Sequence, residues 1–180
     1  MTIHQFILEH LHTPIGRMLI VTDAERRVRA LNWEDHEQRM RELLRIHYGV
    51  NAVRLREVSR PSTARRFLQA YFEGDIGAIA DLATATNGTD FQRAVWAELR
   101  RIPAGQVISY AALAARIGRP AATRAVGRAN GANPIPVIVP CHRVIGMNGS
   151  LTGFGGGLDR KRWLLDHESA WAVSLSVSSS

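Results

Sequence analysis

The sequence has one cysteine, at position 141, and one lysine, at position 161, in 180 residues. A single cysteine excludes an intrachain disulfide and any cysteine-rich zinc site, and it suits a reducing cytosol. With lysine so scarce, arginine carries nearly all the positive charge, and the balance is +7. No apolar run approaches the roughly 20 residues of a membrane span. The opening Met1-Thr-Ile-His-Gln-Phe-Ile-Leu-Glu-His10 lacks both the basic n-region and the apolar h-region of a signal peptide, so a cytoplasmic protein is expected. Seven histidines are present, yet no two stand at helical ligand spacing beside a carboxylate or thiol; neither a metal nor a cofactor is expected. What remains, 46% hydrophobic and 22% charged residues, is ordinary for a soluble globular chain of one large or two small domains. The basic balance favours a polyanionic partner, nucleic acid before membrane, because no basic amphipathic anchor helix is present.

The first half reads as scaffold. Arg17–Thr22 and Val28–Trp33 flank the polar turn 23–27 and predict a hairpin. Met40, Leu43, Leu44, His47 and Tyr48 make one apolar helical face closed by Gly49, with His47 read as a packed residue and not a ligand. Residues 51–58 suit another strand. A second helix follows Pro61-Ser62, with Ala64, Phe67, Leu68, Tyr71 and Phe72 inward and Gly74 at its end. Residues 75–88 lose periodicity and read as a connection. The expected division is an N-terminal scaffold domain over 1–85, a C-terminal domain over 86–170 and a disordered tail over 171–180.

Thr89-Asp-Phe-Gln92 has the form of a capping box opening a helix with Phe91, Val95, Trp96, Leu99 and Ile102 inward. Pro103-Ala-Gly105 ends it, and Val107-Ile108 could pair briefly as strand. Residues 111–117, the turn Gly118-Arg-Pro120 and residues 121–129 form a helix-turn-helix pattern. Its second helix is rich in small residues, which let a backbone approach a partner closely. Arg124 and Arg128 share one face and could reach phosphates; an ordinary packed helix pair fits the pattern equally well. Thr152-Gly-Phe-Gly-Gly-Gly157 lacks the Lys-Ser/Thr of a phosphate-binding loop and reads as backbone lying close to a planar ligand. A last helix, roughly 159–167, leads back to Glu168.

Between these lies Ile135-Pro-Val-Ile-Val-Pro-Cys-His-Arg-Val-Ile145. Val137, Ile138 and Val139 read as a short buried strand punctuated by Pro136 and Pro140. A lone cysteine is usually a small buried hydrophobe. Here an imidazole and a guanidinium follow at once, and either can favour thiolate over thiol.

Pro140-Cys141-His142-Arg143-Val144 resembles the active-site signature of the O6-alkylguanine-DNA alkyltransferases. The likeness extends strongly from Phe91 to Glu168, and more weakly over the N-terminal half to the bacterial, constitutively expressed branch. It implies a ribonuclease-H-like α/β N-terminal domain, with a small antiparallel sheet and helices, before a mainly α C-terminal domain with a winged helix-turn-helix. It implies irreversible, stoichiometric transfer of an alkyl group from O6-alkylguanine, and from O4-alkylthymine, in double-stranded DNA to Cys141, without cofactor, by a monomer. By the same resemblance His142 takes the thiol proton through water, Glu168 orients His142, and Asn133 bridges the recognition helix to the active-site turn. Tyr110 would help rotate the phosphate and bond guanine N3, while Arg124 fills the stack vacated by the extruded nucleotide. Thr123, Gly127 and Arg128 would lie along the DNA. Pro136, Val144, Phe154, Gly155 and Gly156 would line the substrate pocket.

Two features depart from the pattern. Many relatives have a tyrosine and a serine where this chain has Phe154 and Gly155. The serine's contact is made by its backbone N–H, so glycine can keep it, and the loss of bulk implies room for alkyl groups larger than methyl. Arg128 stands where relatives often have a small residue, and it is either a phosphate contact or a solvated charge. The rival reading is a non-catalytic helix-turn-helix binder of alkylated DNA, against which Cys141 speaks. A cysteine hydrolase would need an oxyanion hole that nothing in the sequence suggests.

Overall fold

The computed structural model describes residues 1–178, and the side-chain surroundings of residues 1–173. Chain contacts divide it into two units, Met1–Asn87 and Gly88–Ser180.

In the first unit, strand β1 (His4–Thr13) lies between β2 (Gly16–Thr22) and β4 (Val53–Glu57), with β3 (Val28–Trp33) beyond β2. β1 and β2 form one antiparallel hairpin and β2 and β3 the next, the latter as expected. The Asp23 carboxylate closes the second turn by accepting from Arg27 Nε (2.8 Å), Arg29 Nε (2.7 Å) and the Arg27 amide (2.9 Å). The sheet is mixed, not antiparallel as expected, because β4 runs parallel to β1. The cause is the connection. Helix α1 (Glu37–Tyr48) separates β3 from β4, and a helical crossover joins parallel strands.

Met40 and Leu44 of α1 pack on Phe6, Leu8, Leu19, Val21 and Ala30. Side chains alternate along a strand, so Glu9 faces away from α1. There it meets the start of α2 (Thr63–Phe72), where Glu9 Oε1 accepts from the Ser62 amide at 2.7 Å. Ser62 is also the N-cap, its hydroxyl accepting from the Arg65 amide at 3.1 Å. Ala64, Leu68, Tyr71 and Phe72 are buried, but Phe67 is 43% exposed, against expectation. The buried four follow i, i+4, i+7 and i+8, and position i+3 falls at the edge of that stripe.

The second unit opens on the expected capping box. Thr89 Oγ1 accepts from the Gln92 amide (3.1 Å) and Gln92 Oε1 from the Thr89 amide (3.0 Å), starting α3 (Asp90–Leu99). Val95, Trp96 and Leu99 are buried, and Trp96 Nε1 donates to the Ala129 carbonyl at 2.8 Å, fixing α3 against α5 (Thr123–Gly131). Strand β5 (Ile108–Ser109) runs directly into α4 (Tyr110–Arg116) and pairs in parallel with β6 (Val144–Ile145).

The expected strand at Val137–Val139 is absent; the segment is a compact turn. The Val139 amide donates to the Ile135 carbonyl (3.0 Å) and the Cys141 amide to the Val139 carbonyl (2.8 Å), while Val137 takes φ 74°. Prolines 136 and 140 have no N–H to offer a sheet, so the segment folds on itself instead.

The final helix, α6, runs Leu158–Ser178, past the expected end near His167 and through most of the stretch expected to be a disordered tail. Neither Gly nor Pro interrupts residues 158–178, so no local signal stops the helix. Residues 179–180 of that tail lie outside the described residues. Among the described residues no helix is long and apolar enough to cross a membrane.

Candidate active site

Cys141 opens a single 3-10 turn, Cys141–Arg143, and all three side chains are buried. The turn before it is braced by Asn133. That amide donates from Nδ2 to the Val139 carbonyl (2.8 Å) and accepts at Oδ1 from the Ile135 amide (2.9 Å). One side chain thus holds both ends of the loop that presents the thiol, and ties it to the residues just after α5. Asn130, in the last turn of α5, adds a longer donation of 3.4 Å to the Cys141 carbonyl. Holding Val137, a β-branched residue, at positive φ costs about 1–3 kcal/mol and needs such bracing.

Behind Cys141, His142 Nε2 lies 2.8 Å from Glu168 Oε1, and both side chains are wholly buried. Arg143 clamps the same carboxylate with Nε on Oε2 (2.9 Å) and Nη2 on Oε1 (2.8 Å), while its Nη1 donates to the Ile102 carbonyl (2.6 Å). Burial would raise the Glu168 pKa; the contacts with His142 and Arg143 outweigh it, and the carboxyl is held well below its usual range. An ionised carboxylate only accepts, so Nε2 carries the ring proton. That leaves Nδ1 as the basic nitrogen. It is buried and takes no hydrogen bond from any described residue. Burial pushes the His142 pKa below its ordinary value, against the pull of Glu168 and with the help of the Arg143 and Lys161 charges. The imidazole is therefore neutral at pH 7, with its acceptor available: the state a general base must have.

Lys161, the only lysine, is also wholly buried on α6. Its Nζ donates to the carbonyls of Val144 and Thr152, each at 2.7 Å. Burial lowers its pKa, and attraction to Cys141 works the other way, so its charge bears on the sulfur. Sequence reasoning missed both Lys161 and the Arg143 clamp. Lysine's solitude in an arginine-rich chain was the available signal for the first. The second had none beyond adjacency to Cys141.

The remaining candidates fall in three places. Arg124 and Arg128 are exposed on α5, opposite its buried Val126, Ala129 and Asn130, and neither guanidinium has a partner among the described residues. Thr123 begins that helix, and a Cβ on Gly127 would stand 3.8 Å from the Tyr110 ring. Tyr110 begins α4, and its hydroxyl accepts from Thr152 Oγ1 at 3.0 Å. Pro136, Val144 and Gly156 are buried; Phe154 and Gly155 are half-buried in the loop before α6, with the Phe154 ring 6.5 Å edge-on from that of His142.

A Salmonella typhimurium methylated-DNA–protein-cysteine methyltransferase is 52% identical over 160 residues, covering 89% of this chain and 94% of that protein. This chain belongs to that family. The profile of the 6-O-methylguanine DNA methyltransferase DNA binding domain matches residues 90–170. The Haemophilus influenzae methyltransferase is 39% identical, covering 87% of this chain and 82% of that one. Among solved structures, Mycobacterium tuberculosis OGT in complex with DNA superposes with a TM-score of 0.72 at 35% identity, covering 92% and 94% of the two chains.

Proposed function

We propose that this methyltransferase-family chain reverses alkylation damage by moving the alkyl group of O6-alkylguanine in DNA, and of O4-alkylthymine, onto Cys141. The observation that carries the reading is the buried Glu168–His142 pair directly behind the only cysteine. The thiol proton passes through water to His142 Nδ1, and Glu168, held in place by Arg143, stabilises the imidazolium. The thiolate attacks the alkyl carbon; the C–S bond forms as the C–O bond breaks, and the electron pair leaves on guanine O6. Guanine then takes a proton, which the Tyr110 hydroxyl, set at guanine N3 by the family resemblance, can donate. The buried Lys161 ammonium favours the thiolate before attack.

The reacting carbon is out of reach inside a duplex, so the nucleotide must leave the stack, at a cost of a few kcal/mol. Exposed, unpaired Arg124 is the side chain placed to fill the gap. The α4–α5 pair supports a helix-turn-helix, and the short β5–β6 pairing with the turn at 146–150 supports a wing. The order β3-β2-β1-β4 supports a ribonuclease-H-like N-terminal unit. Work in the cytoplasm fits the same reading.

No group in the site can break a thioether, so each molecule reacts once. A limiting amount of protein incubated with excess duplex bearing radiolabelled O6-methylguanine tests this. One label per chain is expected, and continued turnover would refute it.

A further inference from the structure

Tyr110 and Thr152 are 42 residues apart in sequence, yet the Thr152 hydroxyl donates to the Tyr110 hydroxyl oxygen at 3.0 Å. Fixed backbone stands behind both ends of this contact. Tyr110 is the first residue of α4, whose N-cap Ser109 accepts from the Ala112 amide at 3.0 Å, and the β5–β6 pairing sets Ser109 beside Ile145. Thr152 is held from the other side. Its carbonyl accepts from the buried Lys161 Nζ at 2.7 Å, and the same ammonium holds the Val144 carbonyl next to the turn that carries Cys141.

The direction of the bond decides what the phenol can do. A hydroxyl has one proton and two lone pairs. With Thr152 supplying its proton to one lone pair, the Tyr110 proton has no acceptor among the described residues and is free to be given away. Tyr110 is half-buried and Thr152 exposed, so a substrate can reach the phenol. The Thr152 hydroxyl has no other partner among the described residues and serves the phenol alone.

We propose that Thr152 is a positioning residue for alkyl transfer, acting through Tyr110: its hydroxyl directs the phenol proton to the guanine and stabilises the phenolate left when that proton is given up. The inference rests on the alkyl-transfer reading above. As the C–S bond forms and the C–O bond breaks, the electron pair passes to O6 and the guanine ring, and Tyr110 Oη gives its proton to N3. The phenolate regains a proton from water once the base has left. Thr152 keeps its own proton throughout. Its hydrogen bond changes from neutral to charge-assisted, and such a bond is roughly twice as strong. The gain arises only as the proton moves, so it speeds the chemical step and leaves duplex binding alone.

Single-turnover methyl transfer from duplex carrying O6-methylguanine, measured over a range of excess protein, separates the Kd for duplex from the rate at saturation. Thr152→Val keeps the shape and removes the donor; it should slow the saturated rate about tenfold and leave Kd unchanged. Thr152→Ser should restore most of the rate. Tyr110→Phe should be slow, and adding Thr152→Val to it should slow it no further, because the Thr152 hydroxyl then has no phenol to act on. Methylation of Cys141 by iodomethane, read by intact mass, checks that the site is intact. Iodide leaves without a proton, so this rate should be the same in Thr152→Val as in the wild type. The proposal is overturned by a Thr152→Val rate equal to wild type, by a serine variant as slow as the valine one, or by an equal further loss in the Tyr110→Phe background. A loss that lies in Kd, or iodomethane slowed as much as the duplex reaction, overturns it too. A wild-type chain that takes no methyl from the duplex would refute the alkyl-transfer reading itself, and the proposal with it.

Discussion

Replacing Arg143 with leucine removes two donors from a wholly buried carboxylate and one from the Ile102 carbonyl. Breaking a buried ion pair from one side costs about 3–5 kcal/mol, because the partner charge stays buried without compensation. The total stability of a domain is about 5–15 kcal/mol, so the variant should lose a large share of it. Glu168→Leu should cost a similar amount, stranding Arg143 and His142 Nε2 instead. The double variant strands no charge and leaves only His142 Nε2 and the Ile102 carbonyl wanting, each at about 1–3 kcal/mol. It should therefore cost well under the sum of the two single changes. Equilibrium urea unfolding, followed by circular dichroism and tryptophan fluorescence, gives all three values, read from the transition of the Gly88–Ser180 unit should the two units unfold apart. Costs that add to within about 0.5 kcal/mol would show that the two groups do not act on each other, and the clamp would be refuted.

Four further outcomes follow from the same geometry. His142 has a folded pKa depressed below 6.5, so the unfolded chain binds its proton first; stability is full above pH 6.5 and falls as pH drops toward the folded value. A wild-type stability profile lacking that loss relative to His142→Gln would contradict it; the depressed Glu168 adds a second loss only below pH 4.5. Glu168→Gln, by withdrawing the charge that supports the general base His142, should slow single-turnover methyl transfer by about 10²-fold, the lower end of a general base's worth, while leaving duplex affinity unchanged. If Gly155 enlarges the substrate loop, Gly155→Ser should slow the repair of benzyl adducts more than that of methyl adducts; equal slowing would sink that reading. Arg128→Ala should flatten the salt dependence of duplex binding by about one counterion if the guanidinium meets a phosphate, and an unchanged slope means that it does not.

Much of the architecture was legible because it is written in local chemistry. The Thr89/Gln92 box, Ser62 before α2 and Gly49 after α1 each announce a helix end at the residue where it falls. β1 escaped because a central strand with buried residues on both faces shows no alternation. Val137–Val139 misled because three β-branched or apolar residues favour a strand locally, whereas Asn133, four residues upstream, folds them into a turn. Cys141, His142 and Glu168 were legible as a set through the family resemblance alone. That Glu168 would be buried at the centre of a charge cluster was not, since its sequence neighbours His167 and Ser169 lie on other faces of α6. Lys161 shows the same limit. A buried ammonium held by two carbonyls depends on where loops end, which composition cannot express.

The central claim is that one sulfur receives the alkyl group. Intact mass of the chain after incubation with duplex carrying O6-methylguanine, followed by peptide mapping, reads this directly. The account predicts a gain of one methylene on the peptide containing Cys141, with no gain in Cys141→Ala. An unmodified chain beside repaired DNA, or a methylene on any other residue, would contradict it.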